Sequence, residues 1–316
     1  MTSEEAKIFT EAEINLLSLD IIQKIRATYE LGRDRTVRPE SVFQKAVLEG
    51  RDIFEEFVEL FLLPGSRFEG TENFSDMGER LERGENLIFL PEHRSNFDAP
   101  AFHILLRRAG ENFQEILDRL VYIAGRKLNE SSELVDMFTE KYSRLVIVPK
   151  RDLPGSGAKE SKTEAEDSEN YERAARRINR AAFRELVRLR RAGKIFVLFP
   201  MGGREKPDAD NIPVRESTSY LKSFDTAYLV SMEGNALPPR PRMEDERPAQ
   251  DQVVFRAGRP FNCADFLQQQ QEIFERAQSE GKLGDAPDYE QFTVGRIMKL
   301  LEQLRTTGDY DPSFPA

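Results

Sequence analysis

Leu87-Ile-Phe-Leu-Pro-Glu-His-Arg-Ser-Asn-Phe-Asp98 decides how this chain is built. Leu87–Leu90 is an unbroken apolar run, which suits a short strand buried on both faces. From Asp98 to Arg108 the pattern turns helical, so His93 falls on a strand-to-helix turn, where open α/β sheets hold their ligands. On an ideal helix, positions five apart diverge by about 140°. His93 and Asp98 therefore meet only if the backbone turns between them, and Ser95 or Asn96 as N-cap supplies that turn. Asp98 then sits in the first helical turn, where the dipole favours a carboxylate. An ionised Asp98 accepts one imidazole N–H, and the other nitrogen takes a proton. Only two histidines are present; the other, in Phe102-His103-Ile-Leu-Leu, reads as a packed helix residue.

Working outward, short apolar runs alternate with helical stretches from about residue 67. Further strands are expected at Leu120–Ala124, Leu145–Val148, Ile195–Phe199, Ala227–Val230 and Val253–Arg256. Helices are expected at Glu172–Ala192, Ala264–Ser279 and Gln291–Leu304. Such alternation implies an α/β fold, a mostly parallel mixed sheet flanked by helices. Before it, Ile14, Leu17, Ile21 and Ile25, then Phe54, Phe57 and Phe61, repeat at three- and four-residue spacing. Pro39 suits a helix first turn, and Pro64-Gly65-Ser66 ends the segment. The expected organisation is a small helical N-terminal subdomain at 1–66 and an α/β catalytic domain at 67–316. Leu153–Asn170 is polar and reads as a surface loop; its Gly-Ser-Gly-Ala-Lys stretch lacks P-loop spacing, which argues against nucleotide binding.

Composition narrows the function. Charged residues are 32% and hydrophobic residues 39%, a globular balance with no apolar run of bilayer-spanning length. The polar start, Met1-Thr-Ser-Glu-Glu-Ala-Lys, is unlike a signal or transit peptide, so a cytoplasmic protein, soluble or peripherally membrane-associated, is expected. The single cysteine, Cys263, allows no intrachain disulfide and has no histidine near it in sequence. No metal site is recognisable. A net charge of −10 argues against nucleic-acid binding. A local basic stretch nevertheless runs from Tyr171 to Lys194. Its arginines, Arg176, Arg180 and Arg184 among them, read either as a solvated helix face or as a docking surface for an acidic partner or anionic lipid.

Two more strand ends carry cations. Leu145-Val-Ile-Val-Pro ends in Lys150-Arg151, and Ile195-Phe-Val-Leu-Phe-Pro-Met-Gly202-Gly203-Arg204-Glu-Lys206 ends in a glycine turn. Adjacent glycines, Gly202 and Gly203, can expose N–H groups as an anion nest, and guanidinium pairs well with phosphate. Together the three turns describe a proton acceptor beside a phosphate clamp.

On Pro91-Glu-His93-Arg-Ser-Asn-Phe-Asp98, Tyr122-Ile-Ala-Gly-Arg-Lys127, Lys150-Arg151 and Phe199-Pro-Met-Gly-Gly-Arg204-Glu-Lys206-Pro-Asp208, the chain resembles the glycerolipid acyltransferases. It is most similar to the soluble, plastid-type glycerol-3-phosphate 1-O-acyltransferases. It departs from them at Arg151, often His there; at Lys206, often Arg; and at Met201, where relatives carry Ser or Glu. The resemblance implies acyl transfer from a thioester, acyl carrier protein or coenzyme A, to the 1-hydroxyl of glycerol 3-phosphate. His93 is then the base and Asp98 its orienting acid. Lys150, Arg151, Arg204 and Lys206 hold the phosphate. No cofactor beyond the acyl donor is implied. The basic helix becomes a donor-docking candidate, with transient membrane-surface contact as a further expectation. The alternatives are acylation of a lysophospholipid, a serine hydrolase using Ser95 or Ser156 (though no Gly-x-Ser-x-Gly elbow occurs), and a non-enzymatic anion- or membrane-binding adaptor.

Overall fold

A computed structural model describes residues 7–30, 34–130, 133–153, 162–204, 212–240, 245–283 and 288–312. Among them the strands are β1 (Phe43–Gln44), β2 (Arg67–Glu69), β3 (Leu87–Pro91), β4 (Leu120–Gly125), β5 (Arg144–Ile147), β6 (Ile195–Val197), β7 (Thr226–Glu233), β8 (Val254–Ala257) and β9 (Phe261–Asn262). The helices are α1 (Glu11–Arg26), α2 (Arg51–Glu59), α3 (Met77–Glu82), α4 (Asp98–Ala109), α5 (Gln114–Arg119), α6 (Arg126–Glu130), α7 (Glu133–Thr139), α8 (Lys162–Arg191), α9 (Glu216–Leu221), α10 (Cys263–Ser279) and α11 (Tyr289–Thr307). The fold is α/β with mixed strand directions. No helix among the described residues is long and apolar enough to cross a membrane.

The chain forms two compact units: residues 1–19, 55–119 and 195–316 in the first, 20–54 and 120–194 in the second. In the first, β3 lies between β6 and β7 and runs parallel to both. Strands β8 and β9 pair antiparallel with β7, and β2 runs parallel to β8. Every residue of β3 is buried, as its unbroken apolar run requires. Helix α4 buries Pro100, Ala101, Phe102, Ile104, Leu105 and Leu106. Phe102 meets Phe68 at 5.1 Å and Phe89 at 5.8 Å between ring centroids; Phe74 meets Phe89 at 5.4 Å. These edge-on contacts join α4, and the turn that ends at Phe74, to the strands and add to the hydrophobic contribution of burial.

In the second unit, β5 lies between β4 (parallel) and β1 (antiparallel). Asn179 on α8 bonds both the N–H and the carbonyl of Val148, each at 2.8 Å. That pairing fixes the helix to the segment following β5. Two ion pairs are buried here. Arg144 meets Asp136 at 3.1 Å, which also accepts from the Tyr29 hydroxyl at 2.9 Å. Lys141 meets Glu140 at 2.9 Å and donates to Glu49 O at 2.8 Å. The added acceptors matter, because a buried pair offsets its desolvation only when its remaining donors are satisfied.

Three expectations about secondary structure are corrected. Residues 1–66 are not all helical: Pro39 begins a turn, and β1 follows it. A two-residue strand has no periodicity of its own, and pairing with β5 creates it. The polar stretch read as a loop is helical from Lys162 onward. Its Glu, Ala and Lys residues are good helix formers that need no apolar stripe when solvated; residues 154–161, with Ser156 and the Gly-Ser-Gly stretch, lie outside the described residues. Strand β8 ends one residue later than expected, and β2 and β9 carry no pattern long enough to read.

Candidate active site

Strand β3 delivers His93, and neighbouring strands hold its turn. The Glu92 N–H donates to Val230 O at 3.0 Å, and its carboxylate accepts from the Met232 N–H at 2.7 Å. Arg305 Nε lies 3.4 Å from the buried Glu92 carboxylate, offsetting its charge. Asn235, just after β7, donates to Arg94 O at 2.8 Å. Within the turn, Ser95 Oγ accepts from the Phe97 N–H at 3.0 Å and donates to Leu237 O at 3.3 Å.

This corrects the expected cap. Phe97 occupies the N-cap position and makes no side-chain cap bond; the Ser95 hydroxyl turns the chain three residues before α4 begins. Fully buried and engaged at both its donor and acceptor functions, Ser95 is not placed as a nucleophile.

Asp98 is the first residue of α4 and 2% exposed. Its Oδ2 receives His93 Nδ1 at 2.8 Å, the Arg94 N–H at 2.7 Å and the Ser95 N–H at 2.9 Å. Three donors converging on one carboxylate oxygen fix both the Asp98 rotamer and the ring that faces it. With Nδ1 committed as donor, the proton-accepting nitrogen is Nε2. The His93 ring lies flat against Phe199, with centroids 4.0 Å apart and planes 19° from parallel. His93 is thus oriented by a carboxylate at one edge and an aromatic face below. His103 is buried in α4, as a packed helix residue should be. Cys263 is also buried, which pushes its thiol up to about 12. A thiol that stays protonated at neutral pH is a poor nucleophile.

Phe199 follows β6, and β6 pairs with β3, so the two loops leave the same edge of the unit side by side. The Gly202 N–H donates to Phe199 O at 2.8 Å, closing a tight turn. Gly202 has φ 68°, a left-handed conformation that favours glycine. The anion-nest expectation is corrected at Gly202, because its N–H is spent inside the turn. One residue past Gly203, Arg204 is not a bare cation. Its guanidinium pairs through Nη1 with Glu246 Oε1, the two side chains being 7% and 3% exposed. Glu246 Oε2 also accepts from Asn96 Nδ2 at 3.0 Å. One buried carboxylate thus joins the turn bearing His93 to the cation after β6.

Lys150 and Arg151 belong to the 3-10 turn that follows β5, in the second compact unit. Lys206 lies outside the described residues. Arg176, Arg180 and Arg184 are exposed on α8, also in the second unit, with Arg176 bonded to Glu172 at 2.8 Å. Sequence reasoning missed Phe199, Asn96 and Glu246 as site residues. The first two lie inside the motifs already singled out. Glu246 stands in the acidic run Glu244-Asp-Glu246, which reads as solvated surface.

Over 195 residues the chain is 28% identical to the chloroplastic glycerol-3-phosphate acyltransferase of Spinacia oleracea, a match covering 60% of this chain. The chain spans 37% of the length of that relative. No family model matches it. The chain is a distant relative of a glycerolipid acyltransferase.

Proposed function

We propose that this protein transfers a fatty acyl group from an acyl thioester to the sn-1 hydroxyl of glycerol 3-phosphate. The product is 1-acylglycerol 3-phosphate, as in the first step of phospholipid synthesis. The observation that carries the reading is the His93–Asp98 pair at 2.8 Å, its acid buried and triply bonded, on a strand-end turn. The similarity to an acyltransferase supplies the reaction class.

In this mechanism the acceptor hydroxyl gives its proton to His93 Nε2 as its oxygen attacks the thioester carbonyl. Asp98 stabilises the imidazolium that forms. The tetrahedral intermediate collapses, the C–S bond breaks, and the departing thiolate takes the proton back from His93. No residue becomes acylated. Arg204 meets the acceptor phosphate, and holding the phosphate fixes the hydroxyl near the base. Acyl carrier protein and acyl-coenzyme A are the candidate donors.

Thiol release from each donor, with and without glycerol 3-phosphate, tests the reading. Release that depends on glycerol 3-phosphate and yields the 1-acyl product is expected. Acceptor-independent hydrolysis, or release only with a lysophospholipid, would refute it.

A further inference from the structure

Glu246 has no part in the chemistry above, yet its side chain bonds both halves of the site. It is 8% exposed, and its two carboxylate oxygens are divided between two partners. Oε1 meets Arg204 Nη1, and Oε2 accepts from Asn96 Nδ2. Asn96 lies inside the turn that presents His93, three residues from the base and two from Asp98. Arg204 lies on the loop that carries Phe199, whose ring supports the imidazole. A buried arginine and a buried carboxylate each need a partner, and this pair also recruits an amide donor. The pair therefore sets a distance, because the Arg204 side chain cannot swing away without leaving Glu246 unpaired and buried.

We propose that Glu246 is a positioning residue of the acceptor site: it locks the Arg204 guanidinium to the His93 turn through Asn96, so that base and phosphate-holding cation form one rigid unit. The proposal rests on the acyltransfer reading given above. A guanidinium offers five N–H donors in a fixed fork, so pairing at Nη1 orients the remaining donors rather than consuming them. Glu246 touches no reacting atom. It acts through Arg204 on the acceptor and through Asn96 on the turn. The competing possibility is chemical opposition, in which the carboxylate occupies Arg204 and the phosphate must displace it. The two differ in sign. A positioning carboxylate, once removed, weakens the acceptor; a competing one, once removed, tightens it.

Steady-state kinetics of the full chain separate them, with thiol release followed against glycerol 3-phosphate and against the donor. Glu246→Gln keeps the volume but places an amide N–H₂ against one of two donors, so one bond is lost. It should raise KM for glycerol 3-phosphate by about 10- to 100-fold, the scale of a misplacement of about 1 Å, while donor KM stays within about twofold. Glu246→Asp, which keeps the charge, should restore part of the loss. In a background of Glu246→Gln with Arg204→Ala, the penalty of Glu246→Gln on acceptor KM should vanish, because the group it positions is gone. Asn96→Ala leaves the buried ion pair intact and reports on the link if Glu246→Gln folds poorly; it should lower kcat by about 10- to 150-fold at most, the scale of one hydrogen bond to a charged group, with little change in acceptor KM. A lower acceptor KM in Glu246→Gln, equal losses in acceptor and donor terms, or full additivity with Arg204→Ala overturns the proposal and leaves acyl transfer standing. Wild-type protein that releases no thiol in response to glycerol 3-phosphate overturns the functional reading itself, and this proposal with it.

Discussion

Replacing Asp98 by Asn tests the central pair, and the geometry gives the loss a definite size. The Arg94 and Ser95 N–H groups both point at Asp98 Oδ2, at 2.7 and 2.9 Å. Each needs an acceptor at that position, so the amide oxygen of the variant settles there and its N–H₂ turns away. His93 Nδ1 then still faces an oxygen, and the useful tautomer is kept. What disappears is charge. A hydrogen bond to a charged group contributes about 1.5–3 kcal/mol, against about 0.5–1.5 for a neutral one. If the imidazolium of the transition state loses the charged contribution, Asp98→Asn lowers turnover by about 10- to 150-fold. His93→Ala removes the base altogether and should cost more, about 10²–10⁴-fold. Combining the two should be no worse than His93→Ala alone, because Asp98 acts on the reaction only through His93. Stability should behave differently. The two backbone donors weaken whether or not His93 is present, so Asp98→Asn should destabilise both backgrounds by about 2 kcal/mol. Turnover from single-time-course thiol release, with denaturant unfolding of the same four proteins, checks both halves. Near-wild-type turnover in folded Asp98→Asn, or a multiplicative loss in the double variant, would refute the reasoning.

Arg204→Ala should lower kcat/KM for glycerol 3-phosphate by roughly 10- to 150-fold while barely moving donor KM; it strands the buried Glu246, so it is best measured together with Glu246→Gln, and equal losses with glycerol and glycerol 3-phosphate would count against a phosphate role. Reversing Arg176, Arg180 and Arg184 to Glu should raise KM for acyl carrier protein far more than for acyl-coenzyme A, an effect that added salt should mask. Arg180 and Arg184 should dominate, since Arg176 is already engaged by Glu172; equal changes for both donors would remove the docking role. Glu85 should make the first unit acid-labile. Burial alone would raise its carboxyl from the ordinary 4.5, but bonds from Arg83, Thr226 and Arg80 outweigh that and hold it lower. A depressed folded-state pKa gives stability that is complete above about pH 4.5 and lost as pH falls through the lower folded value. Glu85→Gln should therefore show a flatter stability profile below pH 4.5 in urea titrations, and an unchanged acid limb would rule Glu85 out as its source.

How much of this was legible in the sequence depends on how local each feature is. Strand β3, the turn and α4 occupy consecutive residues, and each has its own signal: an unbroken apolar run, a polar turn and helical spacing. The His93–Asp98 pairing was legible as a condition, since it required the backbone to bend between them, and the turn supplies that bend. Strands β1, β2 and β9 had no such signal. Two or three residues cannot display alternation, and only the neighbouring strand makes them strands. Helix α8 was read short for a different reason: its first turns lack an apolar stripe, though their residues favour helix.

Glu246 was beyond reach because its meaning lies in a contact across 150 residues of sequence with Asn96. In the sequence it is one acid of an acidic run, and acids in runs usually face water. The fold reverses that reading by burying it against Arg204, which the sequence offered as a candidate phosphate ligand. Arg204 was therefore half legible. Its charge and its glycine turn were visible; its neutralising partner was not, and a buried guanidinium with a partner behaves differently from an exposed one. A free arginine offers charge in every rotamer, whereas one held by Glu246 offers its remaining donors in a single direction. An acceptor that presents its phosphate along that direction gains the bonds at little cost in side-chain ordering, because Glu246 and Asn96 have already fixed the side chain. For such a site the glycine turn sets where the cation stands, and the buried carboxylate sets which way it faces.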